Sequence, residues 1–297
     1  MAVIRSVRRG RRLYRYLEQS YRWKGRLRKR RIYLGTKLPP DLKERTTFLE
    51  RAIWQSTWFE EFDRIRAGYQ RRLRTIPRSV SRKEQSEFVV EFTYDTNRIE
   101  GSTLTLEDTR LLLDRGFTAR NRPLHDQVET QRHARLLTRL LTNPERLTLT
   151  NLRRWHEELF SETKPDLAGK IRDFGVRIGR SKHQPPPASE VGAKMDHLFY
   201  WLREARDTLH PVELAAEFHY RFENIHPFGD GNGRVGRLAM NLLLAESGFP
   251  MLNIEYTRRS GYYNALEASS LREDSRPFLR FFFLRYARAH SFFLKDR

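Results

Sequence analysis

The run HPFGDGNGRVGR, residues 226–237, brings together a histidine, a carboxylate, an amide, glycines and two arginines just ahead of an apolar stretch. His226 titrates near neutrality when unperturbed, so it can take a proton from an attacking hydroxyl. Asp230 offers an oxygen ligand of the kind Mg²⁺ takes alongside substrate phosphates. The glycines at 229, 231 and 233 let successive backbone N–H groups aim at one point, as in an anion-binding nest. Arg234 and Arg237 lie three residues apart in a first helical turn, where their charge opposes the helix dipole, so they call for a strong anionic partner. Together these are parts for moving a phosphate-bearing group onto a hydroxyl. The bland alternative is a polar turn, with His226 capping a helix and both arginines facing solvent.

Two helices must hold this run. Pro211 suits a first helical position, and Leu214, Phe218, Phe222 and Ile225 form a buried stripe that Pro227 ends, leaving His226 at the turn. A second helix starts at Asn232, with Leu238, Leu242 and Ala245 spaced for burial and Gly248 and Pro250 closing it. The glycine loop therefore abuts a helix N-terminus, itself an anion site.

Elsewhere the pattern is also mainly helical. Residues 42–73 repeat apolar positions at three- and four-residue steps after the break at Pro39 and Pro40, and Pro77 ends that run. Ser81 and Glu84 read as a capping box for a helix carrying Phe88, Phe92 and Ile99 and ending near Gly101. Thr105 caps a short helix closing at Gly116, and further helices are expected over 193–208, 211–225, 232–247, 262–270 and 278–294. Residues 169–187 have the glycine, β-branched and proline content of a short hairpin followed by an extended loop.

The net charge of +20 is unevenly spread: residues 1–37 hold fourteen Lys/Arg against one acid, Glu18. In that segment aromatic and apolar residues alternate with arginines at a period near two, and Trp23-Lys24-Gly25 supplies a turn, so a small antiparallel β element ending at Gly35 is expected. Such a basic cluster favours nucleic acid, an anionic surface or an acidic protein, or serves only as a solubilising arm. There is no cysteine, hence no disulfide or thiolate metal site, and no apolar run approaches the ~20 residues that span a bilayer. The first residues lack the apolar core of a secretory signal. A cytoplasmic protein without a membrane partner is expected. The organisation reads as a basic module at 1–37, a helical connector at 38–80, a helix region at 81–116 and a helical core at 117–297.

HPFGDGNGRVGR is similar to the signature of the Fic family, His-Pro-Phe-x-Asp/Glu-Gly-Asn-Gly-Arg-x-x-Arg, at every fixed position. The flanks FHYRFENIHPF and RLAMNLLLAESGFP, and GYYNALEASS and RPFLRFFF downstream, resemble that family too, over roughly residues 90–290. The resemblance implies a mainly α fold, a Fic-type helical core with a short β-hairpin flap, and the activity of a protein adenylyltransferase that moves AMP from Mg-ATP to a Ser, Thr or Tyr hydroxyl. It implies that His226 is the base, that Asp230 holds Mg²⁺, and that Gly231, Asn232 and Gly233 cradle phosphates through backbone N–H groups and the Asn232 amide. Arg234 would support the phosphates, Arg237 would reach the γ-phosphate, Phe228 would be a buried anchor, and Tyr262 and Tyr263 would line the adenine pocket. The target protein would dock as an added strand on the flap around Val176 and His183, and relatives often form homodimers through the core.

TNRIEG, residues 96–101, resembles the family's inhibitory pattern Ser/Thr-x-x-x-Glu-Gly/Asn, at the place where the class with an N-terminal brake carries it. The resemblance implies that Glu100 pairs with Arg237 and so denies the γ-phosphate its partner. The resemblance also implies that the same site can in principle run the reverse reaction, with Glu100 orienting water to remove AMP. Two other readings stand beside it. One is a metal hydrolase drawing on Glu217, His219, His226 and Asp230, although Pro227 puts Asp230 on a loop. The other is a nucleic-acid-binding regulator using residues 1–37, with aromatics that stack on bases, and with the helical body as accessory or sensor.

Overall fold

The computed structural model describes residues 2–23, 25–117, 121–179 and 181–295. The chain divides into two compact units, one reaching Arg64 and the other starting at Ile65.

In the first unit, β1 (Val3–Arg9), β2 (Arg12–Trp23) and β3 (Arg26–Gly35) form an antiparallel sheet in the order β1-β2-β3. Ile4 pairs with Leu17 and Leu17 with Ile32, so one apolar row runs across one face. That row cannot be buried by three strands alone. Leu17 and Leu34 share a core with Leu49 and Ile53 of α1 (Leu42–Trp54), flanked by Tyr21, Ile32 and Leu42. The compact unit thus extends past residue 37, because the strands need α1 as their second layer. The single helical run expected over 42–73 is broken by one π turn at Gln55–Phe59 before α2 (Glu60–Thr75). The Ser56 and Thr57 hydroxyls bond back to the carbonyls of Ala52 and Ile53 there.

The second unit is helical: α3 (Arg78–Ile99), α4 (Leu106–Arg115), α5 (Leu124–Thr142), α6 (Leu149–Phe160), α7 (Ala188–Ala205), α8 (Pro211–Ile225), α9 (Asn232–Glu246), α10 (Arg259–Ser270) and α11 (Arg276–Ala289). Its centre is α8 against α9, and residues 232–244 of α9 are all buried. The expected cap at Ser81 is displaced. Pro77 stands at the N-cap of α3, Ser81 N–H already donates to the Pro77 carbonyl within the helix, and Glu84 pairs with Arg72. Thr105 does cap α4, in a reciprocal box with Asp108, and Gly116 closes it in the left-handed region.

The hairpin expected within 169–187 is absent among the described residues, which run as turns and extended chain. Pro185, Pro186 and Pro187 lack the N–H groups a ladder needs. A side chain does the holding instead. Arg172, 3% exposed, donates to the carbonyls of His226 at 2.8 Å, Phe174 at 2.9 Å and Pro186 at 2.7 Å. No described helix is long and apolar enough to cross a membrane.

Candidate active site

Helix α8 ends as its sequence requires. His226 sits at the C-cap with φ 50° and its N–H on the Phe222 carbonyl at 2.9 Å, and Pro227 blocks further helix. The following loop is pinned from three directions. Arg172 clamps the His226 carbonyl, and the Arg172 N–H donates to the Pro227 carbonyl at 2.9 Å. Asn232 closes the turn with both ends of its amide, Nδ2 donating to the Phe228 carbonyl and Oδ1 accepting from the Phe228 N–H, each at 2.9 Å. The Asn232 amide, expected to reach the phosphates, is therefore spent on loop shape.

Phe228 is fully buried and stacks on His156 with ring centroids 3.9 Å apart. His156 Nδ1 accepts from Gly169 N–H at 2.9 Å, so Nε2 carries the proton and donates to the Asp230 carbonyl at 2.9 Å. Burial pushes this histidine down to about 4, which keeps that neutral tautomer at pH 7. Gly231 has φ 76° and its α-carbon faces the Phe160 ring so closely that a side chain would overlap it. The backbone N–H groups of the first turn of α9 have no helical acceptor and adjoin this loop.

The two arginines of the run are buried rather than solvent-facing, and they answer different carboxylates. Arg234, 5% exposed, is ion-paired with Glu129 of α5, and its guanidinium lies over the Phe160 ring. Arg237, 1% exposed, donates from Nε to Thr96 Oγ1 at 2.8 Å and from Nη2 to Glu100 Oε1 at 2.7 Å, at the end of α3. Burial works against the Arg237 charge, but Glu100, Tyr262 and Tyr263 together outweigh it and keep the guanidinium protonated. A side chain at Gly233 would strike both the Glu100 carboxylate and Arg237 Nη1. Tyr262 is 1% exposed with its hydroxyl 2.7 Å from His219 Nε2 and 3.4 Å from Arg237 Nη1, so it packs beneath the arginine instead of fronting an open pocket. Tyr263 is 41% exposed and donates to the Ile99 carbonyl at 3.1 Å, tying α10 to the end of α3.

Burial pushes His226 down to about 4, with Glu100 pulling the other way, so the imidazole is neutral and able to accept a proton at pH 7. Asp230 is raised by burial, but Arg234 and Lys164 outweigh that and keep it below the ordinary carboxylate value. Its side chain is 43% exposed, with one oxygen 3.1 Å from Lys164 Nζ. No group of three or more His, Asp or Glu poised for a metal exists among the described residues. One accessible, ionised carboxylate fits Mg²⁺ that arrives on substrate phosphates, and it does not fit a protein-built metal cage. The four side chains of the hydrolase reading do not converge: Glu217 pairs with Arg221 and His219 with Tyr262.

Several contributors escaped the sequence reading. Glu129 and Lys164 form, with Arg234 and Asp230, a chain of alternating charge. Glu129 is a charged residue set among the buried positions of α5, and an acid within an apolar stripe was the available signal. Arg172 lay in the segment read as a hairpin, and Glu223 went unnoticed beside the histidine it precedes by three residues.

Residues 146–244 match the Fic/DOC family. The chain carries a Fic domain. It is 33% identical to the protein adenylyltransferase Fic of Drosophila grimshawi over 204 residues, which is 67% of this chain and 42% of that protein. It is 33% identical to the protein of the same name from Nematostella vectensis over 195 residues, 63% of this chain and 44% of the relative. The chain thus spans less than half the length of these curated relatives. Among solved structures, Fic-1 (residues 134–508) from C. elegans superposes with a TM-score of 0.73 at 27% identity, covering 86% of this chain and 76% of that one. A Fic-domain signaling protein from Bacteroides thetaiotaomicron gives 0.70 at 27% identity, covering 79% of this chain and 96% of the other. The matched Fic segment contains His226, Asp230 and both arginines, while Glu100 lies upstream of it.

Proposed function

We propose that this chain is a self-inhibited protein adenylyltransferase. His226 Nε2 takes the proton of a target Ser, Thr or Tyr hydroxyl as that oxygen bonds to the α-phosphorus of ATP. The bond from that phosphorus to the pyrophosphate oxygen breaks, and pyrophosphate leaves. Asp230 would hold Mg²⁺, which would supply positive charge to the departing pyrophosphate. The N–H groups at Gly231, Asn232 and Gly233 and the Arg234 guanidinium orient the phosphates, and Arg237 is the partner for the γ-phosphate. A target segment docks along residues 176–183. The observation that carries the brake is the 2.7 Å bond by which Glu100 occupies Arg237, on a side chain with 1% exposure. Labelling from α-labelled ATP and Mg²⁺ tests the reading. We expect weak labelling by the wild type, stronger by Glu100→Gly, and none after a further His226→Ala. Labelling that survives His226→Ala removes the base. Removal of AMP from a modified target, with Glu100 orienting the water, belongs to the same site and is scored in the same assay by loss of label.

A second reading concerns the basic sheet, and it is compatible with the first. The pairing register places Arg5, Arg12, Tyr14, Tyr16, Arg22, Lys29, Arg31 and Tyr33 on the face opposite Leu17 and Ile32. Tyr33 lies 6.2 Å from Tyr14 and 5.4 Å from Tyr16, ring to ring, and Arg31 sits over Tyr16. Aromatic rings amid cations on an uncovered sheet face suit a single strand of nucleic acid, by stacking and phosphate neutralisation. Anisotropy of a labelled oligonucleotide should show affinity that falls steeply with salt and weakens in Tyr33→Ala. Binding that ignores both rejects this use of the face.

A further inference from the structure

His226 Nδ1 is a buried atom with no hydrogen-bond partner among the described residues, and so is Glu223 Oε1. The two side chains face each other one turn apart on α8, with Glu223 Oε2 3.9 Å from His226 Nδ1 and exposures of 13% and 17%. A buried polar atom left unmatched is costly, so the enclosed Nδ1 implies a bond that is made in some state of the site, and Oε2 is the Glu223 oxygen that faces it. The space for Glu223 is built into α9. A side chain at Gly236 would come within 2.8 Å of Glu223 Oε1, 2.9 Å of the Phe222 ring and 3.1 Å of His219 Nδ1. On the far side of that space, His219 Nε2 lies 2.7 Å from the Tyr262 hydroxyl, which is 3.4 Å from Arg237 Nη1.

A base that works through Nε2 must carry its proton on Nδ1. Because Nδ1 is enclosed, the exposed part of the imidazole is its Nε2 side. Something must therefore accept from Nδ1, and Glu223 presents its carboxyl to that atom. The backbone carbonyl of Glu223 also favours a protonated ring. Burial pushes the Glu223 carboxyl up to about 8, so it is mostly protonated at pH 7. A neutral carboxyl still accepts through its carbonyl oxygen, and its own proton then sits on the oxygen beside Gly236.

We infer that Glu223 is a positioning residue for His226: its carboxyl receives the Nδ1 proton, fixes the tautomer and turns a bare Nε2 towards the reacting hydroxyl. This rests on the adenylyl-transfer reading. The 3.9 Å gap closes to bonding distance when the site is filled, as catalytic hydrogen bonds commonly tighten on substrate binding.

The test uses the full chain labelled with ¹⁵N-histidine, in the Glu100→Gly background, with Mg-ATP. The ¹⁵N shifts of His226 report its tautomer whether or not AMP is transferred, so failure of this inference and failure of the parent reading remain separate. In the parent and in Glu223→Gln, whose side-chain carbonyl still accepts, Nδ1 is expected to carry the proton. In Glu223→Met the population shifts towards protonated Nε2, and kcat falls about ten-fold, the weight of one typical hydrogen bond, while KM for ATP holds. Gly236→Ala, which displaces the carboxyl without altering it, gives the same shift if Glu223→Met does not fold. An Nδ1–H tautomer that persists in Glu223→Met or Gly236→Ala overturns the inference and leaves the backbone carbonyl as the acceptor.

Discussion

Replacing Glu100 by glycine separates two consequences of one contact. Glu100 accepts from Arg237 at 2.7 Å, and Arg237 is 1% exposed, so solvent screens the pair little on the arginine side. A hydrogen bond between charged groups is worth about 1.5–3 kcal/mol net. If that interaction competes with the γ-phosphate, its loss raises productive ATP binding by roughly 10- to 150-fold, at 1.4 kcal/mol per decade. The same loss leaves a buried guanidinium with Thr96 but without its counter-charge, which costs the nucleotide-free protein about 1–3 kcal/mol, a drop of a few degrees in Tm. Mg-ATP then restores what the glutamate supplied, so the ligand-induced Tm shift exceeds that of the wild type. Initial rates with α-labelled ATP and thermal melts with and without Mg-ATP measure both. A variant that melts earlier, regains its Tm with Mg-ATP and labels no faster would refute the brake, because the nucleotide would hold Arg237 without any gain in transfer.

Three further outcomes follow from the site. Burial lowers His133 and His219 to about 3 and His156, His226 and His290 to about 4, from an ordinary 6.5. The unfolded chain then binds more protons, so this stability is intact above about pH 6.5 and is lost as pH falls towards 4. Glu223, raised to about 8, has the opposite sign: its contribution is full below its unfolded value of 4.5 and is lost as pH rises through 8. Urea titrations across pH 4–9 should show a steep acid limb and a shallow alkaline one, and a flat acid limb would contradict the buried neutral histidines. Phe228→Ala removes a fully buried ring from the His156 stack and should cost about 3–5 kcal/mol in the same titrations. Arg172→Met frees the His226 carbonyl and the 172–186 segment together, so labelling in the Glu100→Gly background should fall well beyond any change in nucleotide affinity. Labelling that stays level would mean the clamp is structural only.

Much of the helical frame and the turn-and-helix geometry of residues 226–237 is legible in the sequence, because local rules write both. Pro211, the stripe from Leu214 to Ile225, Pro227 and the glycines each act within one or two turns, and Thr105 with Asp108 does the same for α4. Less legible is whatever depends on partners far along the chain. Glu129 lies 105 positions from Arg234 and nothing local declares that pairing, while Thr96 lies 141 from Arg237 and only the family pattern at 96–101 pointed there, through Glu100. The Asn232 amide looked free for a ligand because its acceptor and donor are backbone groups of Phe228, which residue types do not reveal. Residues 169–187 failed for a similar reason. Their composition resembles strand, but the groups that hold them belong to Arg172, a side chain doing the work of a sheet neighbour.

That clamp has a geometric corollary. One guanidinium reaches carbonyls at 174, 186 and 226, so the strip of backbone where a target would lie and the residue that would deprotonate it are fixed to a common point. On the proposed reading, Arg172 would act as a ruler between docking register and base. A peptide held there at one register would present Ser and Tyr hydroxyls at different reach to Nε2. The length of the acceptor side chain would then be selected by a residue that touches neither the nucleotide nor the hydroxyl.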